Sequence, residues 1–183
     1  MNDPNKWWYV PAGAVASIVI NVPAHATQYL SVEQAQRLSF PEAARFVAAH
    51  VVYKAADIAA IERASGQKVR TKGEQVWRAE AADGRKLGYF FLDYVIGKHE
   101  VIDYSVAIDT SGRVKRVEIL EYRESYGGEV ADRSWLDQFN GKAVGDSLVP
   151  GRDIRIISGA TLSSRHVTEG IKRVLAIYDL LLH

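Results

Sequence analysis

An α+β fold, built on an antiparallel sheet of about four to six strands with N-terminal helices and a long C-terminal helix, is predicted by three features of the 183-residue sequence. Between Gln75 and Tyr122, four segments carry strand patterning and are separated by turn residues. Val167, Ile171, Val174, Tyr178 and Leu181 then recur at helical spacing and mark one apolar face. Ahead of the strands, helix-start signals fall near Ser31 and Ser39, and a helix-stop glycine at Gly66.

Taken in order, the first 26 residues read as a leader. Lys6 precedes a mostly apolar run from Val10 to Val22, and Ala24-His25-Ala26 forms an A-x-A cleavage pattern. That run is shorter than the roughly 18–20 residues needed to span a bilayer. Residues 1–26 are therefore expected to be a secretory signal peptide cleaved before Thr27, with an uncleaved N-terminal membrane anchor as the competing reading. Either one places residues 27–183 outside the cytoplasm, in a periplasmic or extracytoplasmic setting, soluble or anchored.

Ser31-Val32-Glu33-Gln34 has capping-box spacing and predicts a helix through about Leu38. Ser39-Phe40-Pro41-Glu42 repeats the signal, and a second helical turn is expected from Ala43 to Val47. Val51-Val52-Tyr53 reads as a short strand, Asp57 to Ser65 as a helix ended by Gly66, and Gln67 to Gln75 as a surface loop. The four strands follow: Gln75–Ala79, Leu87–Val95, Ile102–Ile108 and Val114–Tyr122, with Asp83-Gly84 and Thr110-Ser111-Gly112 as turns. Leu87–Val95 is apolar on both faces, as a central strand should be. Ser134–Phe139 predicts a short helix whose Trp135, Leu136 and Phe139 either pack on the core or line a ligand pocket. Gly151–Ile157 reads as a last short strand that hands over to the C-terminal helix.

Composition excludes several classes of function. Hydrophobic residues make up 48% and charged residues 25%, so a packed core is expected. A formal net charge of +1 without a basic block argues against nucleic-acid binding. The absence of cysteine excludes disulfides, cysteine-ligated iron–sulfur clusters and thioether haem. His25, His50, His99, His166 and His183 show no metal-ligand spacing, and neither a G-x-G-x-x-G nor a Walker loop is present. Ser158 lacks a G-x-S-x-G setting, which leaves no support for a serine nucleophile.

Two stretches carry chemistry. Ser158-Gly159-Ala160-Thr161, followed by Leu162-Ser163-Ser164-Arg165, falls at a helix N-terminus, where unpaired N–H groups and a partial positive charge suit a phosphate. Read locally, Thr161 or Ser163 is an ordinary N-cap worth about 1 kcal/mol. The second stretch, Glu124-Ser125-Tyr126-Gly127-Gly128, either lets backbone approach a ligand or makes a tight turn.

Ser-Gly-Ala-Thr-x-Ser resembles the acceptor motif of the FMN-binding domain family, found in the C subunit of sodium-translocating NADH:quinone reductases and the G subunit of Rnf complexes. The resemblance runs from roughly Tyr29 to the C-terminus. It implies FMN joined through its phosphate to the hydroxyl of Thr161 by a dedicated flavin transferase. By the same resemblance, Ser158, Gly159, Ala160, Leu162, Ser163 and Ser164 surround the attachment point. A glycine-rich loop of Glu124, Ser125, Tyr126, Gly127 and Gly128 borders the flavin, and Arg165 stands either near the phosphodiester or in solvent. The loop departs from the Glu-Thr-Pro-Gly-Leu-Gly wording of the proteins that work within those complexes and looks more like smaller stand-alone members. The implied function is an exported flavoprotein that relays electrons between membrane or periplasmic redox partners, a carrier rather than a turnover enzyme. The alternatives are a non-redox exported binding module whose Ser-Gly-Ala-Thr is only a helix cap, and a flavin-dependent reductase.

Overall fold

The computed structural model describes residues 26–183. Both readings of the leader concern residues that lie, but for Ala26, outside that range. The described chain runs β1 (Thr27–Gln28), α1 (Val32–Ser39), β2 (Arg45–Val52), α2 (Ala55–Ser65), β3 (Gly73–Glu80), β4 (Lys86–Ile96), β5 (Val101–Asp109), β6 (Val114–Tyr122), α3 (Arg133–Leu136) and α4 (Thr161–Leu181), with short 3-10 turns on either side of α3. The six strands form one sheet in the order β1-β6-β5-β4-β3-β2, every neighbouring pair antiparallel. This is the α+β architecture expected.

Alternation along the central strands buries both faces of the sheet. Phe91 and Val95 of β4, Tyr104, Val106 and Ile108 of β5, and Val117 and Ile119 of β6 point to one side. There they meet Val167, Ile171, Val174 and Tyr178 of α4 and Ile61 of α2. Phe90, Ala107, Ala79 and Leu120 face the other side and are covered by Ala35 of α1 and by Phe40. Trp135, Leu136 and Phe139 all join the larger core, which decides their role in favour of packing. Ser31 caps α1 with the full capping box, and Gly66 ends α2 in the left-handed region at φ 70°.

Three segments differ from expectation. Residues 43–47 do not form a helical turn: Phe40 to Ala43 make a turn, and β2 begins at Arg45 and pairs with β3 over its whole length. Val51-Val52 is thus the end of an eight-residue strand. The predicted loop 67–75 is cut short because β3 begins at Gly73. Gly151–Ile157 is not a strand. Gly151, at φ 85°, turns the chain so that its N–H meets the Ile154 carbonyl, and Asp153 accepts from the Val149 N–H. A single bridge between Pro150 and Ile154 is all the strand pairing there.

Among the described residues, no helix is long and apolar enough to cross a membrane, and no His/Cys/Asp/Glu group could hold a metal ion.

Candidate cofactor-binding site

In an antiparallel meander the end of β4, the start of β5 and the end of β6 fall at the same end of the sheet. Here that rule gathers the Gly97–Glu100 connection and the Arg123–Gly128 loop at one place. Glu124 ties the two together. Its Oε1 accepts the backbone N–H of His99 (2.6 Å) and Glu100 (3.0 Å). Burial acts to raise the Glu124 pKa, but these N–H groups outweigh it and hold the carboxyl below its usual range. Gly97 permits this approach, since a Cβ there would lie 2.6 Å from the same oxygen.

The third wall is the start of α4. Its N-cap is Ala160, which offers no side-chain hydrogen bond to the first turn. Alanine is among the poorest N-cap residues, so the leading N–H groups of a 21-residue helix are left for another acceptor. Thr161 is the first helical residue and is exposed, so it does not serve as the cap. Ser163, also expected as a cap from sequence, is buried and engaged elsewhere. Tyr122 donates its hydroxyl proton to the Tyr126 carbonyl at 2.5 Å, and its oxygen lies 3.2 Å from Ser163 Oγ. With the tyrosine proton committed, Ser163 is the donor in that contact. Burial raises the Tyr122 pKa, against the opposing effect of Ser163, so the phenol stays neutral. Ser164 locks the turn behind: its Oγ donates to the Ala160 carbonyl and accepts from the Ile157 N–H.

These elements enclose a mostly apolar cleft of 570 Å³, within the roughly 300–1,000 Å³ usual for small-molecule sites. Glu124, Ser125, Tyr126, Gly159, Ala160, Thr161, Leu162 and Ser163 line it, so eight of the sequence-predicted residues come together. Gly127 and Gly128 lie beneath the loop, in an adjoining depression with Tyr29. Ser158 occupies the exposed turn before the helix and Ser164 faces inward, while Arg165 is exposed; none of the three lines the cleft. Lys98 and His99 do line it, and sequence reasoning missed them. Strand order was the available signal, because it places a β4–β5 connection next to the end of β6.

The residues present fit the flavin mononucleotide that the resemblance implies. An uncapped helix start with an exposed hydroxyl meets the needs of a phosphate. The apolar walls around Leu162, Ala160 and Tyr126 suit a planar ring.

Residues 97–176 match the family described as FMN-binding domain, a stretch that contains every residue lining the cleft. The G subunit of the Na(+)-translocating ferredoxin:NAD(+) oxidoreductase complex of Acetobacterium woodii is 28% identical over 115 residues, covering 48% of this chain and 56% of that protein. The chain thus spans little more than half the length of this curated relative. Among solved structures, NqrC of Shewanella oneidensis is 18% identical, with a TM-score of 0.46 over 82% of this chain and 71% of that one. The C subunit of the Na(+)-translocating NADH-quinone reductase from Parabacteroides distasonis is 16% identical, with a TM-score of 0.48 over 82% and 83%. By the match over residues 97–176, the part of the chain that builds the cleft is similar to the FMN-binding domain family.

Proposed function

We propose that the protein is an exported electron-transfer flavoprotein in which FMN is esterified through its phosphate to Thr161. The observation that carries this reading is the exposed Thr161 hydroxyl on the wall of the cleft, at a helix start that no side chain caps. The family match and the relationship to a protein of a redox complex support it.

When bound, FMN would supply the redox chemistry, and the protein supplies position and electrostatics. Thr161 would hold the phosphate through Oγ1, while the backbone N–H groups of Leu162 and Ser163 face its oxygens and the helix dipole favours its charge. Buried Ala160 and exposed Leu162 give the cleft an apolar lining on either side of Thr161. Lys98 adds a cation to the cleft lining, where it favours electron-rich forms of a bound group. A tether keeps a diffusible cofactor with a protein outside the cytoplasm. In this reading residues 1–26 direct export or anchor the chain, a flavin transferase matures it, and membrane or periplasmic redox proteins exchange electrons with it.

The cap-only alternative loses its premise, because neither Thr161 nor Ser163 caps the helix. The test is intact mass and absorbance of protein co-expressed with a flavin transferase. A gain of one FMN less water with yellow colour is expected, and Thr161→Ala should abolish both. An unmodified peptide spanning Thr161 from flavinylating cells, with no visible absorbance, overturns the reading.

A further inference from the structure

Beside the flavin cleft lies a second cavity, 430 Å³ and largely polar, that shares the Lys98 wall with it. Its other sides are the loop after α2, bearing Lys68 and Arg70, and the face of α4 bearing Glu169 and Arg173. Four cationic side chains and one carboxylate, Glu169, therefore line it, with Arg173 among them paired to Asp93. Lys68, itself exposed, leans toward half-buried Glu62 at 3.2 Å, a surface pair worth little. Arg70 and Lys98 have no ion-pair partner among the described residues.

Arg173 differs from a surface cation. Its side chain is 13% exposed, and Nη2 is held 2.6 Å from Asp93 Oδ2. Asp93 is itself buried and fixed by the Tyr104 hydroxyl at 2.5 Å. The guanidinium is thus set in place before anything binds, so less ordering entropy is lost when its remaining N–H groups meet an acceptor. A rigid arginine backed by mobile cations matches the geometry of a carboxylate.

We propose that this second cavity receives acidic side chains of the protein with which the domain exchanges electrons, and holds that partner against the rim of the flavin cleft. The inference rests on the electron-carrier reading. Transient redox interfaces are small, under about 1,200 Å², and charge complementarity sets their encounter rate more than their lifetime. A basic cavity sharing a wall with the cofactor cleft would bring the partner to the cofactor's edge.

The test uses loaded, reduced protein mixed with ferricyanide, an anion, or hexaammineruthenium(III), a cation. Two ions of either oxidant take the electron pair from each reduced chain, and its protons pass to solvent. The variant is Lys68→Gln with Arg70→Gln, since neither residue lines the flavin cleft. At low salt the ratio of ferricyanide to ruthenium rates should fall about tenfold in the variant, and the difference should close at high salt. An unchanged ratio at low salt overturns the proposal. With unloaded protein, a hexaglutamate peptide should shift the backbone amide signals of Arg70, Lys98 and Glu169, and the variant should bind it about tenfold more weakly. Shifts confined to other surfaces also overturn it. Adduct mass on the same samples separates the two readings: a missing adduct defeats covalent loading, and an adduct with an unchanged ratio defeats only the docking site.

Discussion

Gly127 lies directly against Ala160: a Cβ built on Gly127 would sit 2.5 Å from the Ala160 Cβ and 2.8 Å from the Tyr122 hydroxyl. The loop after β6 and the residue before α4 are therefore in backbone-level contact, across more than thirty positions of sequence. Gly127 also adopts φ 91°, where a side chain adds strain. Ala160 lines the cleft, so this contact joins one of its walls to the loop after β6.

Gly127→Ala should accordingly fail for two independent reasons, contact and conformation. The loop must lift away from Ala160, and the expected loss is about 2–4 kcal/mol in urea unfolding. Flavin loading should fall further than stability alone explains, because the cleft geometry changes even in molecules that fold. Gly141→Ala is the control: it shares a positive φ of 76° but has nothing within 4 Å of the new carbon. Equal effects in the two variants would show that contact with Ala160 is irrelevant.

Tyr122→Phe keeps the ring buried in the core but removes the oxygen that joins Tyr126 to Ser163. Losing these bonds, with a carbonyl and a serine hydroxyl left unpaired, should cost about 1–2 kcal/mol. For a domain of this size that lowers Tm by a few degrees, about 2–4 °C per kcal/mol. Time courses of flavinylation, followed by mass, should slow relative to wild type at a temperature where both are fully folded. An unaltered time course would leave Tyr122 as a packing residue only.

The β5–β6 hairpin was legible because its signals agree: clean alternation in Ile102–Ile108, a turn with Gly112 at φ 79°, and a returning apolar strand. Residues 43–47 were not, because Ser39-Phe40-Pro41-Glu42 imitates a capping box and Ala43-Ala44 favour helix. Pairing decides instead, since Ala44 N–H bonds the Glu80 carbonyl and Arg45 reaches the Glu80 carboxylate at 2.6 Å. Ile154-Arg155-Ile156-Ile157 has strand composition, yet Ile154 is buried from a turn and its carbonyl is satisfied locally by Gly151. At the site, Thr161 and the glycine loop were reached through the resemblance carried by Ser158-Gly159-Ala160-Thr161, since local sequence alone read them as a cap and a turn. Lys98 and His99 could not be reached that way, because only the strand order brings them there.

Gly170 seats the C-terminal helix. A Cβ there would lie 2.2 Å from the Tyr104 hydroxyl, which is pinned to Asp93 and has no room to swing. In an exposed helix Gly→Ala gains about 1 kcal/mol of propensity. Here the same change should invert that sign, with a net loss of about 2 kcal/mol, because α4 must rise off the sheet or Tyr104 must give up a bond to a charged group. Urea unfolding of Gly170→Ala decides it, and a gain in stability would contradict the close contact.

Glu74 Oε1 accepts from the Tyr53 hydroxyl at 2.8 Å and from Thr71 at 3.3 Å. Burial, then the nearby charge of Asp93, push its pKa up to about 7, against the opposing pull of Arg173 and these hydrogen bonds. A carboxyl whose folded pKa exceeds its unfolded value binds more protons in the native state between the two. Its contribution to stability is complete below about pH 4.3 and is lost as pH rises through about 7. Allowing for partial exposure, the decline should amount to about 1–2 kcal/mol, since each tenfold change in proton affinity is worth ~1.4 kcal/mol before screening. Glu74→Gln keeps the acceptor for Tyr53 but does not ionise, so it should flatten the decline and stand at or above wild type at pH 8. Stability profiles of the two proteins that run parallel from pH 4.5 to 8 would place the titration elsewhere.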